Sequence, residues 1–270
     1  MSHPPVEPWP CALSIAGLDP SGGAGIAADL RMFHAAGVWG CAALAVVTVQ
    51  STAGLVSASN LDPCLVADQA REVLRHERVR AIKTGALGSA ANVRAVCSIL
   101  RDHPDIPAVV DPVMIATRAP TGARLLDAEA LEAMRELMRL SGLVTPNLDE
   151  AEALAEMRIA SCDDLSRAAR ALVGAGARAA LVKGGHLDEG PMVDVLAIGR
   201  RLIRFVGPRL PMPPFHGGGC SLASLVAGRL AWTGRSDDAA IVEAVRFGRR
   251  RLRRALRHAV SIGQGLLVLP

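Results

Sequence analysis

An α/β fold, with a mostly parallel sheet covered by helices on both faces, is what this 270-residue sequence predicts. Continuous apolar, β-rich runs alternate with helical patterns throughout, as strands buried on both faces require. Two glycine-rich segments, AGLDPSGGAG after the first apolar run and HGGGC near the far end, each open a helix. A glycine-rich strand-to-helix turn in such a chain lies at the carboxyl edge of the sheet, where ligands bind. Their separation along the chain implies one site with two halves.

In order, the apolar runs place strands at Cys11–Ala16, Ala42–Val49, Val79–Lys83, Ala108–Val113, Gly142–Thr145 and Ala179–Lys183. Helical patterns fall at Gly25–Ala36, Pro63–His76, Ala90–Arg101, Asp127–Leu140, Leu148–Ala155, Asp163–Gly174, Cys220–Trp232 and Asp237–Val260. Met192–Ile198 and Leu202–Val206, joined by Gly199-Arg200-Arg201, read as a hairpin on the sheet edge. No linker or internal repeat appears. One domain over residues 11–270 is expected, after a disordered lead-in of residues 1–10.

Half of the residues are apolar and 21% are charged, enough to bury a large core. No apolar run reaches the roughly 18 uncharged residues of a membrane helix. MSHPPVEPWP lacks the basic and apolar regions of a signal peptide, so a cytoplasmic location and no membrane partner are expected. The six cysteines contain no C-x-x-C pair and form neither a zinc motif nor a disulfide framework. Net charge is +4, its main source the arginines between Arg246 and Arg257. Their spacing with Val245, Leu252 and Leu256 is that of an amphipathic surface helix. Aromatics are 3% of the chain and no binding motif accompanies the arginines, which argues against a nucleic-acid partner.

Of 30 basic side chains only Lys83 and Lys183 are lysine. Each ends an apolar run just before glycine (AIKTG, LVKGG), a setting that suits a compact ammonium in a partly buried place. The other polar interruptions share that location: Asp19 after strand one, Gln50 after strand two, Asp111 ending a strand, Asn147 and Glu150 following TP. Parallel strand ends converge on one sheet edge, so carboxylates, lysines and glycine loops surround one cleft. Such a set suits phosphoryl transfer, which needs positioning and charge stabilisation. Cys220 begins a helix, where the dipole is expected to lower its thiol pKa.

The segments AGLDPSGGAGIAADL, VVTVQST, IKTGALGS, VVDPVM, TPNLDEAEAL, LVKGGH and HGGGCSLAS resemble the hydroxymethylpyrimidine/phosphomethylpyrimidine kinases of thiamine biosynthesis, a branch of the ribokinase superfamily. The similarity runs from about Cys11 to Trp232. It implies a ribokinase-like three-layer sandwich, ATP as co-substrate and Mg2+ as cofactor. Gly17, Ala24, Asp29, Gln50, Ala86 and Val113 would line the pyrimidine pocket. Gln50 offers a donor and an acceptor, and Asp29 an acceptor, to an aminopyrimidine edge. Cys220 would be the general base, with Gly217, Gly218 and Gly219 forming the anion hole. Lys183 and Asn147 would meet the nucleotide, and Glu150 with Asp111 would hold the metal largely through water. A homo-oligomer, a dimer, is expected from the resemblance alone.

The chain also departs from that family. Gly218 stands where a threonine is usual, Ala86 where a methionine is, and ATRAPTGARLL replaces a shorter turn. Two competing functions follow: a ring-alcohol kinase such as pyridoxal kinase, since one lost side chain in an apolar pocket shifts selectivity by roughly 1–3 kcal/mol, or a catalytically weak pyrimidine-binding regulator.

Overall fold

The computed structural model describes residues 9–114, 129–185 and 190–270. The strands are β1 (Cys11–Leu18), β2 (Trp39–Ser51), β3 (Gly54–Asn60), β4 (Val79–Thr84), β5 (Ala108–Val110), β6 (Leu143–Val144), β7 (Ala179–Lys183), β8 (Met192–Ile198) and β9 (Arg201–Gly207). They form one sheet in the order β3-β2-β1-β4-β5-β6-β7-β8-β9. From β2 to β7 every pairing is parallel, while β3 and the β8–β9 hairpin run antiparallel at the two edges.

Eight helices are described: α1 (Gly25–Ala35), α2 (Pro63–His76), α3 (Ala90–Asp102), α4 (Ala130–Leu140), α5 (Leu148–Ala155), α6 (Cys162–Gly174), α7 (Gly218–Thr233) and α8 (Asp238–Leu256). Alternate side chains of the central strands divide between two cores. Leu13, Ile15 and Ile82 pack with α2 to α6, whereas Ala12, Ala81 and Val109 pack with α1, α7 and α8. The sheet is thus the middle of three layers, as the uninterrupted apolar strands predict. Among the described residues no helix is long and apolar enough to cross a membrane.

Several boundaries move. The predicted strand through Val113 stops at Val110, ahead of Pro112, which has no N–H for the ladder. The long tail helix ends at Leu256 rather than Val260. β3 is an element the sequence pattern does not predict: five of its seven residues are exposed, so it lacks a buried face. The starting point Asp127, residues 1–8 of the lead-in and the 117–123 turn lie outside the described residues.

Candidate active site

β1 leads into the first glycine loop, whose backbone Asp19 organises. Ser21 donates its N–H and hydroxyl to Asp19 Oδ1 at 2.9 and 2.8 Å, and Ala24 N–H donates to Oδ2 at 3.0 Å. Asx turns of this kind give a loop without regular structure a fixed shape. The second loop crosses directly against the first. Gly217 has φ +80°, and a Cβ there would lie 1.8 Å from the Gly23 carbonyl oxygen, so no other residue fits this crossing. Beside it His216 Nε2 lies 2.8 Å from Asp19 Oδ2 and 3.1 Å from Gln50 Nε2. Burial alone would raise the Asp19 pKa, but hydrogen bonds from His216 and Ser21 outweigh it and hold the carboxyl below its usual value.

α7 starts at Gly218 with no side-chain cap and no acid in its first turn, which leaves its leading N–H groups open to an anion. The space a side chain at Gly218 would take is filled by Phe215, whose ring lies 2.4 Å from an ideal Cβ. Cys220 is where expectation and structure part. Burial pushes its thiol up to about 12; the Lys83 charge and the Gly25 N–H pull down, and the Asp111 and Asp29 carboxylates push up again. The helix start alone does not make a thiolate here.

Across from α7, Lys183 donates to Asp111 Oδ1 at 2.9 Å, and the Thr145 hydroxyl donates to the same oxygen at 3.3 Å. Lys183 Nζ is 3.0 Å from where a Cβ on Gly219 would sit, so the ammonium stands at the mouth of the anion hole. Burial lowers the Lys183 pKa, but Asp111 and Glu150 raise it further and keep it charged. Asn147 and Glu150 close a capping box at the start of α5: Glu150 N–H donates to Asn147 Oδ1 at 3.0 Å and Asn147 N–H to Glu150 Oε2 at 2.8 Å. Burial pushes Glu150 up to about 8, only partly opposed by Lys183. A buried carboxyl that resists ionisation beside Asp111 fits a divalent cation, whose charge would restore the carboxylate. No group of three or more metal-ligating side chains gathers among the described residues. Mg2+ keeps several waters and takes one or two carboxylates plus substrate phosphates, and Asp111 and Glu150 could supply those carboxylates.

Asp29 is placed differently from the expectation. It is fully buried and does not line the cavity. Ser14 donates to Oδ2 at 2.6 Å, Ser224 to Oδ1 at 2.7 Å, and Lys83 Nζ to both oxygens at 2.9 and 2.7 Å. A carboxylate has about four acceptor positions, and these four bonds fill them, leaving none for a ring amine. Asp29 is the charge beneath the floor. Lys83 is the side chain that reaches the cavity; burial lowers its pKa, but Asp29 outweighs that and raises it.

All the other candidate residues line one cavity of about 720 Å³: Gly17, Ala24, Gln50, Ala86 and Val113, together with Asp111, Asn147, Glu150, Lys183 and Gly217–Cys220. Further wall comes from Pro208–Leu210 and Met212–Phe215 and from Arg249, Leu252, Arg253 and Leu256 of α8, which no sequence motif marks. Asp19, read from sequence as a strand-end acid, and His216, which opens the HGGGC segment, tie the two loops together.

Comparison with known proteins bears on the family and the fold. The family model for phosphomethylpyrimidine kinase matches residues 19–269. The hydroxymethylpyrimidine/phosphomethylpyrimidine kinase of Streptomyces coelicolor is 41% identical over 264 residues, 97% of this chain and 94% of that protein. The thiamine biosynthesis bifunctional protein ThiED of Geobacter sulfurreducens is 39% identical over 254 residues, 94% of this chain and 50% of that longer protein. Among solved structures, an ADP complex of Bacillus subtilis pyridoxal kinase superposes with a TM-score of 0.85 at 28% identity, covering 96% of each chain. A family match across nearly the whole described fold, with its glycine loops and strand-end residues converging on one cavity, places this chain in the phosphomethylpyrimidine kinase family.

Proposed function

We propose that the protein transfers the γ-phosphoryl group of ATP to the hydroxymethyl group of hydroxymethylpyrimidine, and then phosphorylates the resulting monophosphate to the diphosphate. The observation that carries this is the convergence of Gln50, the open α7 N-terminus and the Lys183–Asp111 pair on one cavity. The ring lies toward Gly17, Gln50 and Val113, with its hydroxyl directed at Cys220. The N–H groups of Gly217 to Cys220 receive the oxygens of the transferred group, and Lys183 meets the phosphates as a mobile point charge. As the new oxygen–phosphorus bond forms and the bond to ADP breaks, the hydroxyl proton passes to the Cys220 thiolate, the minor form that has first released its own proton to solvent and is restored as the thiol. Asn147, Glu150 and Asp111 would hold Mg2+, which supplies charge neutralisation on the phosphates. A cytoplasmic homodimer belongs to the same proposal and is supported by family membership.

A second reading, pyridoxal kinase, is favoured by one observation: Ala86, which lines the cavity beside Gly17, presents only a methyl group there. Coupled assays of ADP release with hydroxymethylpyrimidine, its monophosphate and pyridoxal separate the two. A higher kcat/KM for pyridoxal replaces the first reading with the second. Release with none of the three leaves the regulator.

A further inference from the structure

Resting on the kinase reading above, the surroundings of Gln50 define which edge of the ring is recognised. His216 is 4% exposed and Asp19 3%, and His216 Nε2 lies 2.8 Å from Asp19 Oδ2. Asp19 already accepts from two backbone N–H groups and one hydroxyl. It is a carboxylate and can only accept. A ring nitrogen at hydrogen-bond distance from it therefore carries the hydrogen. Nε2–H is the donor, and the buried Nδ1, without a partner among the described residues, bears the lone pair. The opposite tautomer would set a lone pair against a carboxylate and bury an unpaired N–H, the rarer and costlier kind of orphan.

The tautomer in turn orients the amide. Gln50 Nε2 stands 3.1 Å from that same His216 nitrogen, and two donors repel at this separation. The two ends of a carboxamide are nearly alike in shape, so its orientation follows from the hydrogen-bond network. Turned by half a rotation about χ3, Gln50 brings its carbonyl oxygen to Nε2–H as a second acceptor. Its NH2 group then faces the cavity that Gln50 lines. We propose that Asp19, acting through His216, fixes Gln50 as a hydrogen-bond donor to the substrate, so that this position selects a ring bearing an unprotonated ring nitrogen rather than reading the exocyclic amine. Asp19 and His216 are positioning residues in this arrangement. Because His216 directly precedes Gly217, the same pair couples ring recognition to the anion-binding loop.

The first readout needs no catalysis. In a long-range 1H–15N spectrum of the full chain, with the His216 signals assigned by their absence from His216→Asn, Nε2 should be protonated and Nδ1 bare. A proton on Nδ1 alone overturns the assignment. The second readout compares kcat/KM for hydroxymethylpyrimidine with two analogues, each having one ring nitrogen replaced by C–H. The wild type should prefer the parent over one analogue by about tenfold or more, as a site built to donate to a specific atom does. Gln50→Glu, which has no donor, and His216→Phe, which frees the amide, should erase that preference. Asp19→Asn serves if His216→Phe does not fold. Equal losses on parent and analogues in these variants would mean a structural role and sink the proposal. If no ring is phosphorylated at all, the kinase reading fails separately, and the tautomer alone decides the His216 assignment.

Discussion

Asp29→Asn separates a buried counter-charge from a substrate contact. The substitution keeps the shape but removes the charge that neutralises Lys83, which is fully buried with its nitrogen 2.7 and 2.9 Å from the carboxylate oxygens. Breaking a buried pair by removing one partner costs about 3–5 kcal/mol, because the other charge is left uncompensated. In a domain of this size 1 kcal/mol shifts Tm by about 2–4 °C, so a fall of roughly 6–20 °C is expected. Removing both charges, in Asp29→Asn with Lys83→Met, should recover much of that loss, since a replaced pair is often neutral in stability. The assay is thermal and urea unfolding of wild type, both singles and the double, read as a double-mutant cycle, with pyrimidine affinity measured by calorimetry on each stable variant. A double no more stable than Asp29→Asn would refute the buried-pair argument. A stable double that no longer binds the ring while Lys83→Met still does would return Asp29 to the substrate pocket.

Three further outcomes follow from the same geometry. With the Cys220 thiol pushed up to about 12, kcat should rise about tenfold per pH unit through the neutral range, without a plateau below pH 10; Cys220→Asp should flatten the profile and Cys220→Ser should lower kcat by roughly 10²–10⁴. A flat wild-type profile removes the thiolate from the mechanism. The Glu150 pKa is raised from 4.5 to about 8, so its contribution to stability is fully present below pH 4.5 and is lost as pH rises through 8. The urea midpoint of the ligand-free wild type should therefore fall against that of Glu150→Gln between pH 5 and pH 8, and parallel curves would contradict it. Gly218→Thr should cost about 1–3 kcal/mol of stability by overpacking against Phe215, and Phe215→Ala should restore it; an undisturbed single variant would mean that the ring yields freely.

The parallel strands were legible because burial on both faces makes them continuously apolar, and β7 and α2 match their predicted bounds. β3 was illegible for the opposite reason: SASN shows no alternation because neither face of that stretch is buried. The N-x-x-E spacing of Asn147 and Glu150 carries two meanings at once, a capping box and a pair of cavity-facing groups, and the structure realises the first with atoms that leave Glu150 Oε1 for the second. Asp29 shows why residue type and spacing alone mislead. Its partner is 54 residues away, and only packing reveals that the pair is closed. The clue lay with Lys83, one of two lysines in an arginine-rich chain. For Cys220 the helix start is visible in sequence, while the burial that pushes its thiol pKa up is not.

Both lysines follow one rule. Each lies in the last two residues of a parallel strand, lines the cavity, and is held by an aspartate at hydrogen-bond distance, Lys83 by Asp29 and Lys183 by Asp111. A bare ammonium at a buried site would lose its charge to desolvation, whereas here the carboxylates keep both cations charged before any ligand arrives. The exposed side of the site can then stay uncapped: α7 begins with three residues that offer N–H groups and no acid. The two counter-charges are placed differently: Asp29 lies beneath the floor, whereas Asp111 shares the cavity wall with Lys183. Asp29 departs from its expected place because its oxygens are taken up by Lys83, Ser14 and Ser224 within the core, where they hold the lysine that reaches the cavity.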